Sequence, residues 1–244
     1  MTAAAPSTIV VLAKVPEAGR VKTRLVPPFS HEQAMDFYAA MLADILAATA
    51  HFSREMGLTP VVAVHPWERL DAIARIAPAD FRVVPQRGAN LAARMTWAVR
   101  EAAATGAQRI LLRGSDNPTL DEEAVRGALT ALGEFDLVLR PDSDGGYGLV
   151  GLRRPVAGLF DHPMSTRSVL DDTLANADRL GLRTCVAEES FDIDTAPDLD
   201  RLAAARSGRI AALCPRTLAF LDGNALWPRP QQGGYPGRED RGRC

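Results

Sequence analysis

The stretch Thr8-Ile9-Val10-Val11-Leu12-Ala13 is continuous in apolar residues and rich in β-branched side chains. Such a run is typical of a strand buried on both faces of a parallel sheet. A loop over residues 14–29 follows, in which three prolines and Gly19 exclude regular structure. Ser30 and Gln33 then have the spacing of a capping box, which predicts a helix from Ser30 to about Ala50. Strand, loop and helix in this order predict the start of an α/β domain.

The rest of the chain repeats this alternation. Further strands are predicted at residues 60–64, 81–84, 109–113, 136–139, 147–152 and 182–186. Helices are predicted at residues 67–76, 91–103 and 121–132, from Ser165 or Thr166 to Leu180, and from about Pro197. Strands that alternate with helices predict βαβ units and a mostly parallel sheet. Residues 135–152 hold two strands without a helix between them, so this part of the sheet is predicted to be antiparallel. The fold class is therefore a three-layer, Rossmann-like α/β fold with a mixed sheet.

Composition and length indicate one soluble domain. The chain has 244 residues, 47% of them hydrophobic and 24% charged. We expect a single nucleotide-binding domain over residues 1–207 and a C-terminal extension over residues 208–244. The extension is expected to be partly disordered, because residues 228–244 are rich in Pro, Gly, Gln and Arg.

Charge and cysteine content exclude several classes of protein. The formal net charge of −2 gives no basic surplus for nucleic-acid binding. No apolar run approaches the roughly 20 residues that span a bilayer, so no membrane association is expected. Cys185, Cys214 and Cys244 lack metal-binding spacing, and residues 1–7 lack the basic segment of a signal or transit peptide. A cytoplasmic protein is predicted, and a homodimer is left open.

Three acidic segments follow predicted strands, and they suggest a metal site. They are Ser115-Asp116-Asn117, Asp144-Gly145-Gly146-Tyr147 and Asp192-Ile193-Asp194-Thr195. A carboxylate at the end of a central strand is costly unless it is paired, solvated or metal-bound, so Asp116 is the first predicted ligand. Asp192 or Asp194 could complete the site. Mg²⁺ prefers one or two carboxylates together with substrate phosphates, so Mg²⁺ or Mn²⁺ is the predicted cofactor. The alternatives are that Asp116 caps the following helix and that Asp194 and Thr195 cap the last one.

The loop after the first strand is rich in cations. Its glycine and basic side chains are suited to holding a diphosphate or triphosphate, although the glycine pattern of a Walker A loop is absent. The alternative is a solvated loop with scattered charges. The predicted nucleotide-binding residues are Ala13, Lys14, Gly19, Arg20, Lys22, Thr23, Arg24, Gln86, Asn90, Arg94 and Ser115.

The second acidic segment, Asp144-Gly145-Gly146-Tyr147, is predicted to bind the acceptor substrate. Its glycines allow a substrate to approach the backbone, while Asp144 orients an acceptor or acts on a proton. The alternative is that Asp144-Gly145-Gly146 forms only a hairpin turn. The predicted acceptor-binding residues are Gly145, Gly146, Tyr147, Ser165 and Thr166. The predicted catalytic residues are Asp116, Asp144 and Lys22.

Five segments together resemble a bacterial family of small GT-A-fold transferases, described as glycosyltransferase-like or nucleotide-diphospho-sugar transferase-like. They are residues 13–25 (AKVPEAGRVKTRL), 114–120 (GSDNPTL), 144–152 (DGGYGLVGL), 165–166 (ST) and 192–199 (DIDTAPDL). The resemblance spans roughly residues 8–202 and implies the GT-A fold. Gly148 and Met164 depart from the family, which often has aromatic residues there, on the side of the acceptor.

The resemblance also implies a reaction class. The end of the first loop looks like that of guanylyltransferases that activate phospholactate or phosphoenolpyruvate. The single acid at Asp116, with a distant Asp194 as second metal ligand, implies nucleotidyl transfer from an NTP to a small phosphorylated acceptor, with release of pyrophosphate. The first alternative is a glycosyltransferase that uses a nucleotide-diphospho-sugar donor. The second is a non-catalytic nucleotide-binding module.

Overall fold

The computed structural model describes residues 5–228 and contains one seven-stranded sheet, in the order β3-β2-β1-β4-β6-β5-β7. The strands are β1 Ser7–Lys14, β2 Leu58–His65, β3 Arg82–Pro85, β4 Arg109–Gly114, β5 Leu137–Pro141, β6 Tyr147–Leu152 and β7 Thr184–Val186. Only β6 runs antiparallel to its neighbours β4 and β5. This confirms the three-layer α/β fold with a mostly parallel mixed sheet.

The described residues form eight α-helices, and the first six lie at the predicted places, with small shifts of their ends. They are α1 His31–Met56, α2 Leu70–Ala74, α3 Leu91–Ala104, α4 Glu122–Ala131, α5 Val169–Arg179, α6 Ala196–Ala205, α7 Arg209–Leu213 and α8 Pro215–Gly223. The capping box of Ser30 and Gln33 starts α1, which continues one and a half turns beyond Ala50. The predicted cap of α5 at Ser165 or Thr166 is wrong, because the helix starts at Val169 and Ser168 is its N-cap residue. Ser165 instead adopts a left-handed conformation (φ 64°). Within residues 5–228, no helix has the length and apolar character needed to cross a bilayer.

The core consists of apolar layers on the two faces of the sheet. On one face, α1 packs on β1 and β2 through Leu42 and Ile45, which are fully buried. On the other face, Met95 and Val99 of α3 pack against β1, β2 and β4. Both layers leave the carboxyl edge of the parallel strands open to solvent.

The segment after α6 forms α7 and α8, although the sequence predicted only a partly disordered extension from residue 208 onwards. Leu221 of α8 packs on α1 beside Phe37 and Met41. Asp44 of α1 is fully buried and accepts hydrogen bonds from the backbone N–H and the hydroxyl of Thr217, both at 2.8 Å. Residues 208–228 are thus anchored to the sheet-bearing part of the chain. The disorder predicted for residues 229–244 lies outside the described residues.

Candidate active site

The carboxyl ends of the parallel strands border an open cleft of about 1420 Å³. Strand order divides this cleft in two, because β3, β2 and β1 lie on one side of β4, and β6, β5 and β7 lie on the other. Lys14, His65 and Gln86, at or just beyond the ends of β1, β2 and β3, line what we term the β1–β3 half. The β5–β6 loop and the segment after β7 line the β5–β7 half. Asp116, just beyond β4, lies between the halves.

Lys22 connects the first loop to two of the acidic segments. Its ammonium nitrogen lies 2.5 Å from Asp116 Oδ1, 2.8 Å from Asp194 Oδ1 and 2.7 Å from the carbonyl oxygen of Ile193. These three acceptors use all three N–H donors of the ammonium group. The residue itself is in the left-handed region (φ 48°), a conformation that costs energy for a non-glycine residue. The sequence assigned Lys22 to phosphates, whereas in this structure its donors are engaged by protein oxygens.

Burial and charge act in opposite directions on Lys22. Burial of its side chain, which is 1% exposed, lowers the pKa, but the charges and hydrogen bonds of Asp116 and Asp194 outweigh burial and raise it well above its usual range. Burial also raises the pKa of Asp194, and Lys22 and Arg24 reverse this effect, so its pKa is lowered. Lys22 and Asp194 are therefore both charged at neutral pH, and the ammonium group of Lys22 lies between the carboxylates of Asp116 and Asp194.

Asp194 also stands at the start of α6. Thr195 and Asp198 form the capping box of this helix. In it, the carboxylate of Asp198 accepts a hydrogen bond from the backbone N–H of Thr195. This leaves the carboxylate of Asp194 free of the capping role, and both of its oxygens contact cations, Lys22 and Arg24. Asp116 is likewise not a helix cap, because Asp121 caps α4.

Tyr38 links the loops that follow β1 and β4. Its hydroxyl accepts a hydrogen bond from the backbone N–H of Lys14 at 2.9 Å and lies 2.8 Å from the hydroxyl of Ser115. Burial raises the pKa of Tyr38 well above its usual range. In the sequence, Tyr38 lies at helical spacing among the apolar residues of α1, and only the hydroxyl group of its ring distinguishes it from them.

Arg113 fixes the backbone of the segment that carries Asp116. It is 1% exposed, donating to Thr49 Oγ1 and to the carbonyl of Asn117, both at 2.9 Å. Burial lowers its pKa to about 10. The side chain of Asn117 bonds Thr119 and Ser190, so it does not act as a second cleft-facing ligand beside Asp116.

Two further carboxylates lie next to the site. Asp142, 2% exposed, accepts a hydrogen bond from Ser190 Oγ at 2.6 Å, and its other oxygen has no partner among the described residues. Burial raises the pKa of Asp142 to about 6. Asp192 also has a buried oxygen without a partner among the described residues. Burial is the main cause that raises the pKa of Asp192 well above its usual range, and the negative charges of Asp142, Asp116 and Asp194 add to this effect. No motif in the sequence indicated that Asp142 belongs to the site.

In the β1–β3 half, some predicted nucleotide-binding side chains hold the fold itself. The amide nitrogen of Gln86 donates to the carbonyls of Ala13 and Ala63 at 3.0 and 2.9 Å. Asn90 caps α3, because its side-chain oxygen accepts a hydrogen bond from the backbone N–H of Ala93. Arg94 and His65, in contrast, line the cleft and each has a buried nitrogen without a partner among the described residues. Burial lowers the pKa of both groups.

In the β5–β7 half, the second acidic segment packs against the loop before α5. A Cβ atom added to Gly145 (φ 94°) would lie 2.2 Å from the carbonyl oxygen of Arg167. Asp144 accepts a hydrogen bond from the backbone N–H of Gly146 at 2.9 Å, as in a tight turn. The hydroxyl of Tyr147 lies 3.1 Å from that of Thr173 in α5. Gly145 is thus required for loop packing, and Asp144 supports a turn while still lining the cleft.

Most predicted site residues meet in the cleft. Those that line it are Lys14, Arg24, Gln86, Arg94, Ser115, Asp116, Asp144, Gly146, Tyr147, Ser165, Thr166 and Asp194. Those outside its lining are Ala13, Gly19, Arg20, Lys22, Thr23, Asn90 and Gly145. The lining residues that the sequence did not identify include the basic residues His65, Arg167 and Arg201 and the acidic residues Glu189 and Asp198.

Asp116 and Asp194 suit a divalent cation, which would bind them from the cleft side. Their side chains are 34% and 23% exposed, and among the described residues nothing donates to Asp116 Oδ2. No group of three His, Cys, Asp or Glu side chains within residues 5–228 forms a complete metal site. Two carboxylates are sufficient when substrate phosphates and water supply the other ligands, as is usual for Mg²⁺.

Sequence comparison relates this chain to a nucleotide-using enzyme. The family profile described as "Uncharacterized protein conserved in bacteria (DUF2064)" matches residues 48–166. A phosphoenolpyruvate guanylyltransferase from Chloroflexus aggregans is 33% identical, over 55% of this chain and 67% of that protein.

Solved structures support the same relationship. A protein from Desulfovibrio desulfuricans G20, assigned to the nucleotide-diphospho-sugar transferases, is 27% identical with a TM-score of 0.81, and the match covers 91% of this chain and 96% of that one. A cytidylyltransferase from Leptospira borgpetersenii is 12% identical with a TM-score of 0.55, covering 95% and 100% of the two chains. The second similarity concerns the fold alone.

Proposed function

The chain belongs to the bacterial family of GT-A-fold, nucleotide-diphospho-sugar transferase-like proteins related to phosphoenolpyruvate guanylyltransferase, and we propose that it is a nucleotidyltransferase. Membership makes it a nucleotide-using transferase. The reaction that we propose joins an NTP to a small phosphorylated acceptor. An oxygen of the acceptor phosphate attacks the α-phosphorus, the bond between the α-phosphorus and the bridging oxygen breaks, and pyrophosphate leaves.

The observation that supports this proposal is the position of Asp116 and Asp194. Lys22 holds both carboxylates in the middle of the cleft, between the β1–β3 half and the β5–β7 half. A bound Mg²⁺ or Mn²⁺ would neutralise charge that develops on the phosphate oxygens. Phosphoryl chemistry needs little covalent help from the protein, so positioning and electrostatics at this point are sufficient.

Residues of the β1–β3 half bind the nucleotide in this proposal. Lys14 and Arg94 line the cleft, and neither has an ion-pair partner among the described residues. Their charges suit phosphate oxygens, which carry several negative charges close together. Tyr38 holds the backbone of Lys14 against Ser115, so the first loop and the Asp116 segment keep a fixed spacing. Lys22 acts by positioning the two carboxylates and does not itself contact phosphate.

Residues of the β5–β7 half bind the acceptor in this proposal. Asp144, Ser165 and Thr166 line it, and the carboxylate of Asp144 is exposed. Asp144 orients the acceptor, while the two hydroxyl-bearing side chains are suited to hydrogen bonds with its oxygens. The attacking phosphate oxygen is ionised at neutral pH, so no general base is needed for nucleotidyl transfer.

A glycosyltransferase is the second candidate, because the similar D. desulfuricans protein is assigned to the nucleotide-diphospho-sugar transferases. Asp144 would then orient or deprotonate an acceptor hydroxyl. One feature favours nucleotidyl transfer over this alternative. The strand end supplies a single cleft-facing acid, Asp116, since the side chain of Asn117 is 2% exposed and bonded elsewhere.

The test is a turnover screen that separates the two reactions by their leaving groups. Purified protein is incubated with Mg²⁺ or Mn²⁺ and each NTP in turn, with phosphoenolpyruvate and 2-phosphoglycerate as acceptors. We expect metal-dependent pyrophosphate release from one NTP, and GTP is the first to test because of the relative from C. aggregans. Release of UDP or GDP from nucleotide sugars, without pyrophosphate from any NTP, would contradict nucleotidyl transfer and support glycosyl transfer.

A further inference from the structure

Arg201 is held at the edge of the β5–β7 half by two contacts. Its Nη1 donates a hydrogen bond to Ser143 Oγ, in the segment that carries Asp144. Its guanidinium group lies 4.5 Å from the centre of the Phe191 ring, next to Asp192. Arg201 is on α6 and lines the cleft. Two segments of the β5–β7 half, which carry Ser143 and Phe191, therefore hold the guanidinium group at this position.

The charge of Arg201 is not balanced within the described part of the chain. No carboxylate there lies within ion-pair distance of it, whereas Arg24, across the cleft, pairs with Asp194. A guanidinium has five N–H donors, and the bond to Ser143 uses one of them. The remaining donors form a planar fork that matches a carboxylate with two parallel hydrogen bonds.

We propose that Arg201 binds a carboxylate of the acceptor, as a second anionic group beside the reacting phosphate. The inference rests on the proposed function only for the role of the bound anion as the acceptor. Which small anion the β5–β7 half selects is a separate property that binding alone can measure. Asp116 marks the reacting centre, and Arg201 lies on the side of it opposite Lys14 and Arg94. An acceptor with phosphate and carboxylate on neighbouring carbons would direct its phosphate towards the reacting centre at Asp116 and its carboxylate towards Arg201.

The experiment compares two probes that differ in one group. In 2-phosphoglycerate a carboxylate stands where glycerol 2-phosphate has a hydroxymethyl group. Binding of both is measured by isothermal titration calorimetry, with Mg²⁺ present, to the full-length protein and to the variants Arg201→Gln and Arg201→Lys. Arg206→Gln is the matched control, since Arg206 ends the same helix, packs on the Trp227 ring and does not line the cleft.

We expect the wild-type protein and Arg206→Gln to bind 2-phosphoglycerate about tenfold more tightly than glycerol 2-phosphate, the ratio that about 1.4 kcal/mol provides. Arg201→Gln should bring this ratio close to one, and Arg201→Lys should restore part of it, because lysine keeps the charge but not the fork. Binding of glycerol 2-phosphate itself should change little.

Three results would overturn the inference. They are a ratio near one in the wild-type protein, absence of binding by both probes, and an unchanged ratio in Arg201→Gln. Because the readout is equilibrium binding without an NTP, it is independent of turnover. Failure of pyrophosphate release from every NTP, with the binding ratio intact, would contradict the nucleotidyltransferase assignment and leave the role of Arg201 standing.

Discussion

The ammonium nitrogen of Lys22 lies 2.8 Å from Oδ1 of Asp194, although the two residues are 172 positions apart in the chain. The same nitrogen contacts Asp116, so one lysine joins the first loop, the end of β4 and the start of α6. A cation between two carboxylates reduces their mutual repulsion and lets both face the same point in the cleft.

Replacement of Lys22 by methionine should destabilise the protein at neutral pH. Removing one partner of a buried ion pair typically costs 3–5 kcal/mol, and partial exposure of the two carboxylates reduces the expected loss to about 2–3 kcal/mol. The pKa of Asp194 is depressed, so the stability that it contributes is present above its ordinary value of 3.8 and is lost as the pH falls below it. Urea denaturation of Lys22→Met and wild type at pH 7 and pH 3 should show the larger difference at pH 7.

The control for this prediction is the double variant Lys22→Met with Asp116→Asn. It carries one unpaired carboxylate fewer than Lys22→Met, so its loss of stability should be smaller than the sum of the two single losses. Strict additivity, or full stability of Lys22→Met at pH 7, would show that the ion pairs do not form in solution.

Asp116→Asn should abolish turnover while the fold remains intact. The amide keeps the shape of the side chain but removes the charge that a divalent cation requires, and we expect at least a 100-fold fall in kcat, typical of the loss of one strong electrostatic contact. Pyrophosphate release measured over a Mg²⁺ series provides the test. Asp178→Asn, an exposed carboxylate on α5 outside the cleft lining, is the control and should retain activity. Wild-type turnover of Asp116→Asn would remove this residue from the mechanism.

The fold could be predicted because its signals are local. The β-branched run at the start of β1 and the capping box of Ser30 each depend on a few neighbouring residues, and the structure confirms both. The antiparallel β6 was predictable from the absence of a helix after β5. The predicted cap of α5 was wrong because Ser165 adopts a left-handed conformation and the helix begins only at Val169, after the N-cap Ser168.

The site was only partly predictable, because its decisive contacts join residues far apart in the chain. Lys22 appeared as one of several loop cations, and nothing in its neighbourhood indicated burial against Asp116 and Asp194. Asp142 resembled an ordinary turn residue, and its pairing with Ser190 depends on the bridge between their segments. Both the contacts of Lys22 and the pairing of Asp142 depend on the order of these segments across the sheet, and that order is a property of the whole fold.

Gly145→Ala should destabilise the loop before α5. The residue has φ 94°, and the added Cβ would meet the carbonyl oxygen of Arg167 at 2.2 Å. Gly158→Ala is the matched control, because Gly158 has φ 81° with no atom within 4 Å of the added Cβ, so it carries backbone strain alone. We expect about 1 kcal/mol of lost stability for Gly158→Ala and at least about 2 kcal/mol for Gly145→Ala, by urea denaturation. Equal losses would show that the loop adjusts freely.

Asp142→Asn should change how stability depends on pH in the metal-free protein. Burial raises the pKa of Asp142 to about 6, so the folded state favours the neutral carboxyl group. The stability that this protonation contributes is fully present below pH 3.8, the ordinary pKa of the group, and is lost as the pH rises through 6. This difference in pKa corresponds to at most about 3 kcal/mol. Denaturation curves at pH 5 and pH 8 should therefore differ less for Asp142→Asn than for wild type. An unchanged difference would mean that Asp142 does not titrate in this range.

Asp44→Ala should detach α8 from α1. The carboxylate of Asp44 is fully buried and accepts hydrogen bonds from the backbone N–H and hydroxyl of Thr217, so its loss leaves buried donors unsatisfied. We expect a loss of about 2–4 kcal/mol and faster hydrogen exchange in residues 215–223. Asp36→Asn, on the exposed side of α1, is the control. If exchange of α8 stays slow in Asp44→Ala, apolar packing of Leu221 against Phe37 and Met41 alone holds the helix in place.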